Sequence, residues 1–103
     1  MKIIITCAIL ILTGTVGARA QGDAKDLYLS KCATCHGPDG AGKTAMGRKL
    51  KVQGAQAAVA KMSAEQMIKV VTDGKGQDMA GFGKQLSAEQ IKGLVDYYRG
   101  LGK

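Results

Sequence analysis

The sequence predicts an all-α domain, because one helix-start pattern occurs twice and each copy is followed by apolar residues at helical spacing. Ser63-Ala64-Glu65-Gln66 and Ser87-Ala88-Glu89-Gln90 both place a glutamine three residues after a serine, which is the capping-box pattern. Apolar side chains then recur every three or four residues, at Met67, Val70 and Val71 in the first segment and at Ile91, Leu94, Val95, Tyr98 and Leu101 in the second. The chain has no β pattern of comparable length.

Two further helices are predicted between glycine-rich connections. The first runs from Asp23 and delivers Cys32 at its C-terminal end, with an apolar face formed by Ala24, Leu27 and Tyr28. Residues 53–61 are rich in alanine and predict a short helix. The helix that starts after Ser63 is expected to end near Asp73, where a glycine follows.

Two loops have a composition that favours function. Residues 37–42 contain three glycines and a proline, which stop the preceding helix and allow close backbone approach. Residues 75–83 hold three glycines together with Met79 and the only phenylalanine, Phe82. Because such loops position functional groups more often than they fill a core, the second loop is a candidate part of a site.

The first twenty residues are predicted to be a cleaved secretory signal peptide, which leaves residues 21–103 as a single domain. Lys2 supplies a short positive region, an apolar stretch follows, and Ala18-Arg19-Ala20 fits the cleavage pattern. The alternative is a retained membrane anchor. The uncharged span from Ile3 to Ala18 has only 16 residues, fewer than the roughly 20 that a spanning helix needs. We therefore expect an exported, periplasmic protein with no stable membrane insertion after cleavage.

The charge of the predicted mature chain favours acidic partners. It contains 13 basic and 8 acidic side chains, a net charge of +5. Such a surplus speeds encounter with acidic surfaces at low salt. The lysines are scattered and the aromatics are few, so no nucleic-acid partner is expected. A domain of this size is also expected to need a covalent or metallic staple.

Residues 32–36 read Cys-Ala-Thr-Cys-His, which is the signature of covalent c-type haem attachment. Two thiols one helical turn apart can each add to a haem vinyl group, and the adjacent His36 then lies over the iron. A redox dithiol is disfavoured because no βαβ pattern accompanies the cysteines. A closed zinc site is disfavoured because the mature chain offers only Cys32, Cys35 and His36, and a disulfide would leave the histidine unexplained.

The second axial ligand of the iron is expected to be a methionine, because His36 is the only histidine. Thioether and imidazole together raise the reduction potential in cytochromes c. Met67 and Met62 are interpreted as packing residues. Met79, in the loop between two helices, is favoured over Met46, which follows His36 by only ten residues.

The chain resembles the small soluble monohaem class I c-type cytochromes of bacteria over residues 22–102. The matching parts are Tyr28 before the motif, the segment 32–37, the loop from Gly74 to Phe82, and the closing segment 94–101. The resemblance implies a cytochrome c-like fold of three to five short helices wrapped around one covalently attached haem. It also implies that Tyr28 and Tyr97 meet where the first and last helices cross, and that Met79 is the sixth ligand of the iron.

Three residues depart from the pattern of that family. Ala80 follows Met79 where the family usually has proline, which predicts a ligand loop that opens more easily. Arg48 stands where a proline often follows Gly47, and its carbonyl is expected to accept the imidazole N–H of His36. Ala24 replaces a frequent glycine at the helix crossing, so a slightly wider spacing is expected.

The predicted function is outer-sphere electron transfer by a His/Met-ligated haem c, with cofactor ligands Cys32, Cys35, His36 and Met79, and no enzyme activity of its own. One alternative is a haem-based sensor of a gas or peroxide, if Met79 dissociates. Another is an electron-transfer subunit of a larger oxidoreductase. Four basic residues form a candidate basic rim: Lys43, Arg48, Lys49 and Lys51. This rim either faces a redox partner with an acidic docking surface or is simply solvated.

Overall fold

The computed structural model describes the backbone from Gly17 to Lys103 and the side chains from Asp23 onward. Within that part the chain forms six helical segments and no strand, so the all-α prediction is confirmed. They are α1 (Gly17–Lys31), α2 (Ala33–His36), α3 (Ala45–Lys49), α4 (Ala55–Lys61), α5 (Ala64–Asp73) and α6 (Ala88–Leu101). Residues 1–16 of the predicted signal peptide lie outside the described residues, and its cleavage stays a prediction. None of the described helices is long and apolar enough to cross a membrane.

Both predicted capping boxes are present. Ser63 accepts from the backbone N–H of Gln66 at 3.2 Å, and the Gln66 side chain accepts from the Ser63 N–H at 2.9 Å. Ser87 and Gln90 repeat this pair of hydrogen bonds at 3.1 and 2.9 Å. Two backbone N–H groups that have no partner within the helix therefore gain side-chain acceptors at the start of α5, and two more at the start of α6.

Helices α1 and α6 cross and form the centre of the core. Tyr28 is only 2 % exposed, and its ring lies 5.2 Å from that of Tyr97. Tyr28 and Tyr97 therefore meet at the crossing, as the resemblance implied. A Cβ added at Gly93 of α6 would lie 3.6 Å from the Cβ of Ala24, which is ordinary contact. The packing of α1 on α6 therefore leaves room for a methyl group at Gly93, opposite Ala24.

Two of the remaining helices, α4 and α5, pack on α6, while α2 and α3 pack near the end of α1. Helices α4 and α5 both contact α6, and Met67 and Ala58 pack there with Val95. α2 directly follows α1, and α3 contacts α2. The segments between α2 and α4 and between α5 and α6 then border the same cavity from different sides.

Candidate haem site

A cavity of about 410 Å³ lies between the residues 28–53 and the residues 58–98. Its volume falls in the range of roughly 300–1,000 Å³ that is typical of cofactor pockets. The walls are mostly apolar and come from α1 and α2, the segment after α3, α4 and α5, the loop 74–83, and α6. Its lining includes Tyr28, Cys32, Cys35, His36, Val52, Ala58, Met62, Met67, Val71, Met79, Phe82, Leu94, Val95 and Tyr98. All four residues predicted to hold the haem therefore border one cavity.

The two cysteines and the histidine share one short helical turn. Cys32 follows the last residue of α1, and its carbonyl accepts from the N–H of His36 at 2.9 Å. Gly37 ends α2 with φ +83°, a left-handed conformation that glycine adopts without strain. No disulfide joins Cys32 and Cys35. The turn thus presents both thiols and the imidazole to the cavity.

A tyrosine and a threonine fix this turn from behind. The Tyr28 hydroxyl donates to the Gly37 carbonyl at 2.6 Å. The Thr44 hydroxyl donates to the Thr34 carbonyl at 2.7 Å and lies 3.1 Å from that of Cys35. Thr44 also accepts from the backbone N–H of Gly47 at 2.9 Å and so starts α3. α3, which sequence patterns did not predict, is therefore anchored on the turn that carries the cysteines.

The His36 imidazole is partly buried, and this burial lowers its pKa below the ordinary value. The ring is therefore held neutral, which is the form that binds iron. Its Nδ1 atom is buried and has no hydrogen-bond partner. The hydrogen bond expected from His36 to the Arg48 carbonyl is not formed in this structure, and that carbonyl accepts from the backbone N–H of Lys51 at 3.3 Å, in the turn that ends α3.

The Cys32 thiol is also held in its neutral form. Burial raises its pKa to about 11, although nearby Lys31 acts in the opposite direction. Redox-active dithiols have the reverse property, a pKa lowered toward or below neutrality. Among the described residues no cluster of three potential ligands forms a metal site from protein groups alone. The donor set fits attachment of an organic cofactor better than dithiol or zinc chemistry.

Met79 reaches the cavity from a loop that is fixed to the end of α5. The backbone N–H of Lys75 donates to the Met79 carbonyl at 2.8 Å, and the N–H of Met79 donates to the Lys75 carbonyl at 3.3 Å. The N–H of Phe82 donates to the Val71 carbonyl at 2.8 Å, further along the loop. Gly74 has φ +85°, and a Cβ there would lie only 2.7 Å from the Met79 carbonyl. Glycine at this position allows the loop to fold back over the cavity.

The methionines differ in their relation to the cavity. Met79 is partly buried and lines it. Met46 is 40 % exposed on α3 and is not a lining residue. Met62 and Met67 border the cavity and also belong to the cluster around Ala58, in agreement with their interpretation as packing residues.

Sequence reasoning missed two parts of the site. Tyr98 was assigned to the buried side of the last helix, but its ring also stands edge-on to the His36 imidazole, with centroids 5.3 Å apart. The segment 50–53 lines the cavity too, and Lys51 adopts φ +57° there. Lys51 belongs to the predicted basic rim, while Lys31 and Lys75 at the cavity edge were not included in it. Helical spacing could have pointed to Tyr98, one turn beyond Leu94.

Replacing Tyr28 with phenylalanine is expected to lower the free energy of unfolding by about 1–2 kcal/mol at pH 7, because the hydrogen bond to Gly37 is lost. Burial raises the pKa of Tyr28 above its usual value near 10. Above that pH the unfolded chain loses a proton that the folded chain keeps, so stability falls as pH rises. The Tyr28→Phe variant lacks this contribution. Its free energy of unfolding, measured from urea unfolding curves, should therefore fall less steeply than that of the wild type between pH 9 and about 11. Equal declines in both proteins would contradict this.

Comparison with known proteins gives a consistent set of matches. A family model described as cytochrome C oxidase, cbb3-type, subunit III, matches residues 19–97. The cbb3-type cytochrome c oxidase subunit FixP of Azorhizobium caulinodans is 31 % identical over 77 residues, which cover 75 % of this chain and 26 % of FixP. The chain therefore spans about a quarter of the length of that relative.

Two solved structures share the fold. The c-type cytochrome KustC0563 superposes with a TM-score of 0.72 at 36 % identity, covering 79 % of this chain and 99 % of the other. A mutant of KustC0563 in which phenylalanine replaces a tyrosine gives a TM-score of 0.70 at 34 % identity, with 77 % and 98 % covered.

Proposed function

The chain belongs to the cytochrome c family described as cbb3-type cytochrome c oxidase subunit III, and we propose that it is a periplasmic carrier that transfers single electrons through a haem held by Cys32, Cys35, His36 and Met79. Family membership confirms the resemblance to small monohaem cytochromes, the covalent haem c with its iron, and a role in electron transfer. The identity of the ligands, the location and the independence of the carrier are the parts that we propose.

The observation that carries the proposal is the convergence of the four predicted ligands on one cavity. When bound there, haem supplies iron that alternates between the ferrous and ferric states. Cys32 and Cys35 would hold the haem through thioether bonds, each thiol adding its sulfur to one vinyl carbon and its hydrogen to the other, so that no oxidant would be consumed.

His36 and Met79 have complementary roles in this proposal. The partly buried, neutral imidazole of His36 would hold the iron from the turn that carries the cysteines. The thioether of Met79 would hold the iron from the loop 74–83, and this pairing would raise the reduction potential. Tyr28, Leu94 and Val95 are buried around the cavity and exclude water from it. If His36 and Met79 both hold the iron, no position on the metal would be left for a substrate, and electron transfer would need no catalytic residue.

The docking surface is proposed to be the basic edge of the cavity. Lys31, Lys51 and Lys75 are exposed and border the opening, and Lys49 is exposed on the adjoining α3. These charges favour a redox partner with an acidic surface, and the encounter should weaken as salt rises. The proposed periplasmic location rests on the predicted signal peptide.

Two alternatives draw on specific observations. The match to FixP favours an electron-transfer subunit of an oxidase. The match to KustC0563, which is covered over 99 % of its length, favours an independent cytochrome of this size. A small-ligand sensor would need Met79 to leave the iron, which Ala80 in place of proline favours.

Optical spectra of the purified holoprotein test the carrier proposal. We expect six-coordinate, low-spin spectra in both oxidation states, with little change of the ferrous spectrum under carbon monoxide at neutral pH. A five-coordinate, high-spin ferrous spectrum, or rapid carbon monoxide binding, would favour the sensor and contradict the carrier. Co-purification with a stoichiometric second polypeptide would favour the subunit.

A further inference from the structure

The loop that carries Met79 is paired at its end with the last turns of α5. The backbone N–H of Phe82 donates to the Val71 carbonyl at 2.8 Å, and the N–H of Gly83 donates to the Thr72 carbonyl at 3.0 Å. Both acceptors belong to α5, and both donors follow the methionine within four residues. The backbone after Met79 is therefore fixed to a helix that itself packs on α6.

Gly81 lies where this pairing leaves no room for a side chain. A Cβ at Gly81 would stand 2.6 Å from the carbonyl carbon of Asp73 and 2.7 Å from the carbonyl oxygen of Thr72. The backbone nitrogen of Gly81 is also only 2.7 Å from the position that a Cβ would take at Gly74. All three are backbone atoms, which cannot turn aside as the end of a flexible side chain can. Gly81 thus brings the two ends of the loop together at the end of α5.

Gly83 makes a second close contact, with the side chain of Thr72. A Cβ at Gly83 would lie 2.8 Å from the Cγ2 methyl of Thr72 and 3.0 Å from its carbonyl oxygen. The Thr72 hydroxyl donates to the Ile68 carbonyl at 2.7 Å, one turn earlier in α5. Because this bond selects the side-chain rotamer of the threonine, the methyl group stays directed at Gly83.

The tip of the loop contrasts with this packed end. Residues 75–78 are exposed, and a Cβ at Gly76 would meet no atom within 4 Å. The backbone hydrogen bonds between Lys75 and Met79 close the tip upon itself. Met79 stands between the exposed tip and the two packed glycines, so the loop is held on the C-terminal side of the methionine.

We propose that Gly81 and Gly83 are positioning residues for Met79, because their close approach to α5 holds the methionine at the cavity. The only proline of the chain is Pro38, so the packed glycines, and no proline ring, restrain the backbone after Met79. The inference rests on the proposed function, since Met79 must be the iron ligand. A side chain at either glycine would push the segment off α5 and enlarge the fraction of molecules in which Met79 has left the iron.

Imidazole binding to the ferric holoprotein at neutral pH measures this fraction, because imidazole competes with Met79 for the iron. The apparent affinity of such a ligand rises in proportion to the population that can bind it. Gly81→Ala is expected to bind imidazole about tenfold more tightly than the wild type, followed as loss of the ferric thioether absorption band. Gly83→Ala should change the affinity in the same direction by about threefold, because the methyl group that it meets can shift.

Gly102→Ala is the matched control. A Cβ at Gly102 would lie 2.7 Å from the carbonyl oxygen of Ala55, so the same substitution crowds a backbone atom to the same degree. Gly102 follows the end of α6, whereas the loop that carries Met79 precedes the start of that helix. This variant should lose stability in urea unfolding yet keep the wild-type imidazole affinity within about twofold.

The outcomes separate this inference from the proposed function. A ferric wild type without the thioether band would contradict the ligand assignment, and the inference with it. A wild type that has the band, with an unchanged imidazole affinity in Gly81→Ala, would overturn the positioning role alone, as would an equal gain of affinity in Gly102→Ala. If Gly81→Ala does not accumulate as holoprotein, Gly83→Ala decides, and a wild-type affinity in that variant would overturn the role.

Discussion

Replacement of Met79 by alanine is expected to abolish the ferric thioether absorption band and to lower the reduction potential. Met79 is the methionine that the loop 74–83 brings to the cavity wall. A thioether favours ferrous iron more than water or a nitrogen ligand does, so its loss should stabilise the ferric state. Axial ligands span a range of about 0.8 V, and we expect a decrease on the order of 0.1 V or more by voltammetry.

Met46→Ala is the matched control for this experiment. It removes the same atoms from a side chain that is 40 % exposed and lies outside the cavity lining. The absorption band and the potential should therefore stay at their wild-type values. Retention of the band in Met79→Ala would assign the sixth ligand to another methionine, with Met62 and Met67 as the candidates inside the cavity.

Gly47→Ala is expected to destabilise the holoprotein by about 3 kcal/mol, because the added methyl group has no space. A Cβ at this position would overlap the carbonyl oxygen of Cys35 and lie 2.5 Å from that of Gly42. Both are backbone atoms, and one belongs to the turn that carries the cysteines. Relief of the overlap must move α3 away from that turn, which would also weaken the Thr44 contacts.

Gly100→Ala is the control, and its expected effect on stability has the opposite sign. Gly100 is exposed on α6, and a Cβ there would meet no atom within 4 Å. Alanine favours a helix over glycine by roughly 1 kcal/mol, so this variant should be slightly more stable than the wild type. Urea unfolding followed by circular dichroism compares the two. A Gly47→Ala protein with wild-type stability would show that α3 is not held against the turn.

Local sequence patterns predicted those helices whose first turn is capped by hydrogen bonds between residues close in sequence. The capping boxes at Ser63 and Ser87 each act within four residues, so the starts of α5 and α6 could be predicted. α3 could not, because its five residues include Gly47 and follow a glycine-rich turn. Its stability comes from contacts with Thr34 and Cys35, which are made only after the chain has folded back.

The residues of the site likewise differ in how far the sequence alone could predict their positions. Cys32, Cys35 and His36 are adjacent in sequence, and one helical turn places them together. The position of Met79 depends on the fold of the loop after Gly74, and the resemblance to a family indicated it more strongly than spacing did. The Tyr98 contact with His36 joins opposite ends of the domain. The hydrogen bond expected between His36 and the Arg48 carbonyl is not formed in this structure.

Haem staining after denaturing electrophoresis tests the central claim, covalent attachment through Cys32 and Cys35, most directly. The wild-type polypeptide is expected to keep its stain after boiling in detergent and reductant. The Cys32→Ala/Cys35→Ala double variant is expected to lose the stain completely, because no thioether can then form. A wild-type band without stain, or a stained band in the double variant, would contradict covalent attachment at these two cysteines.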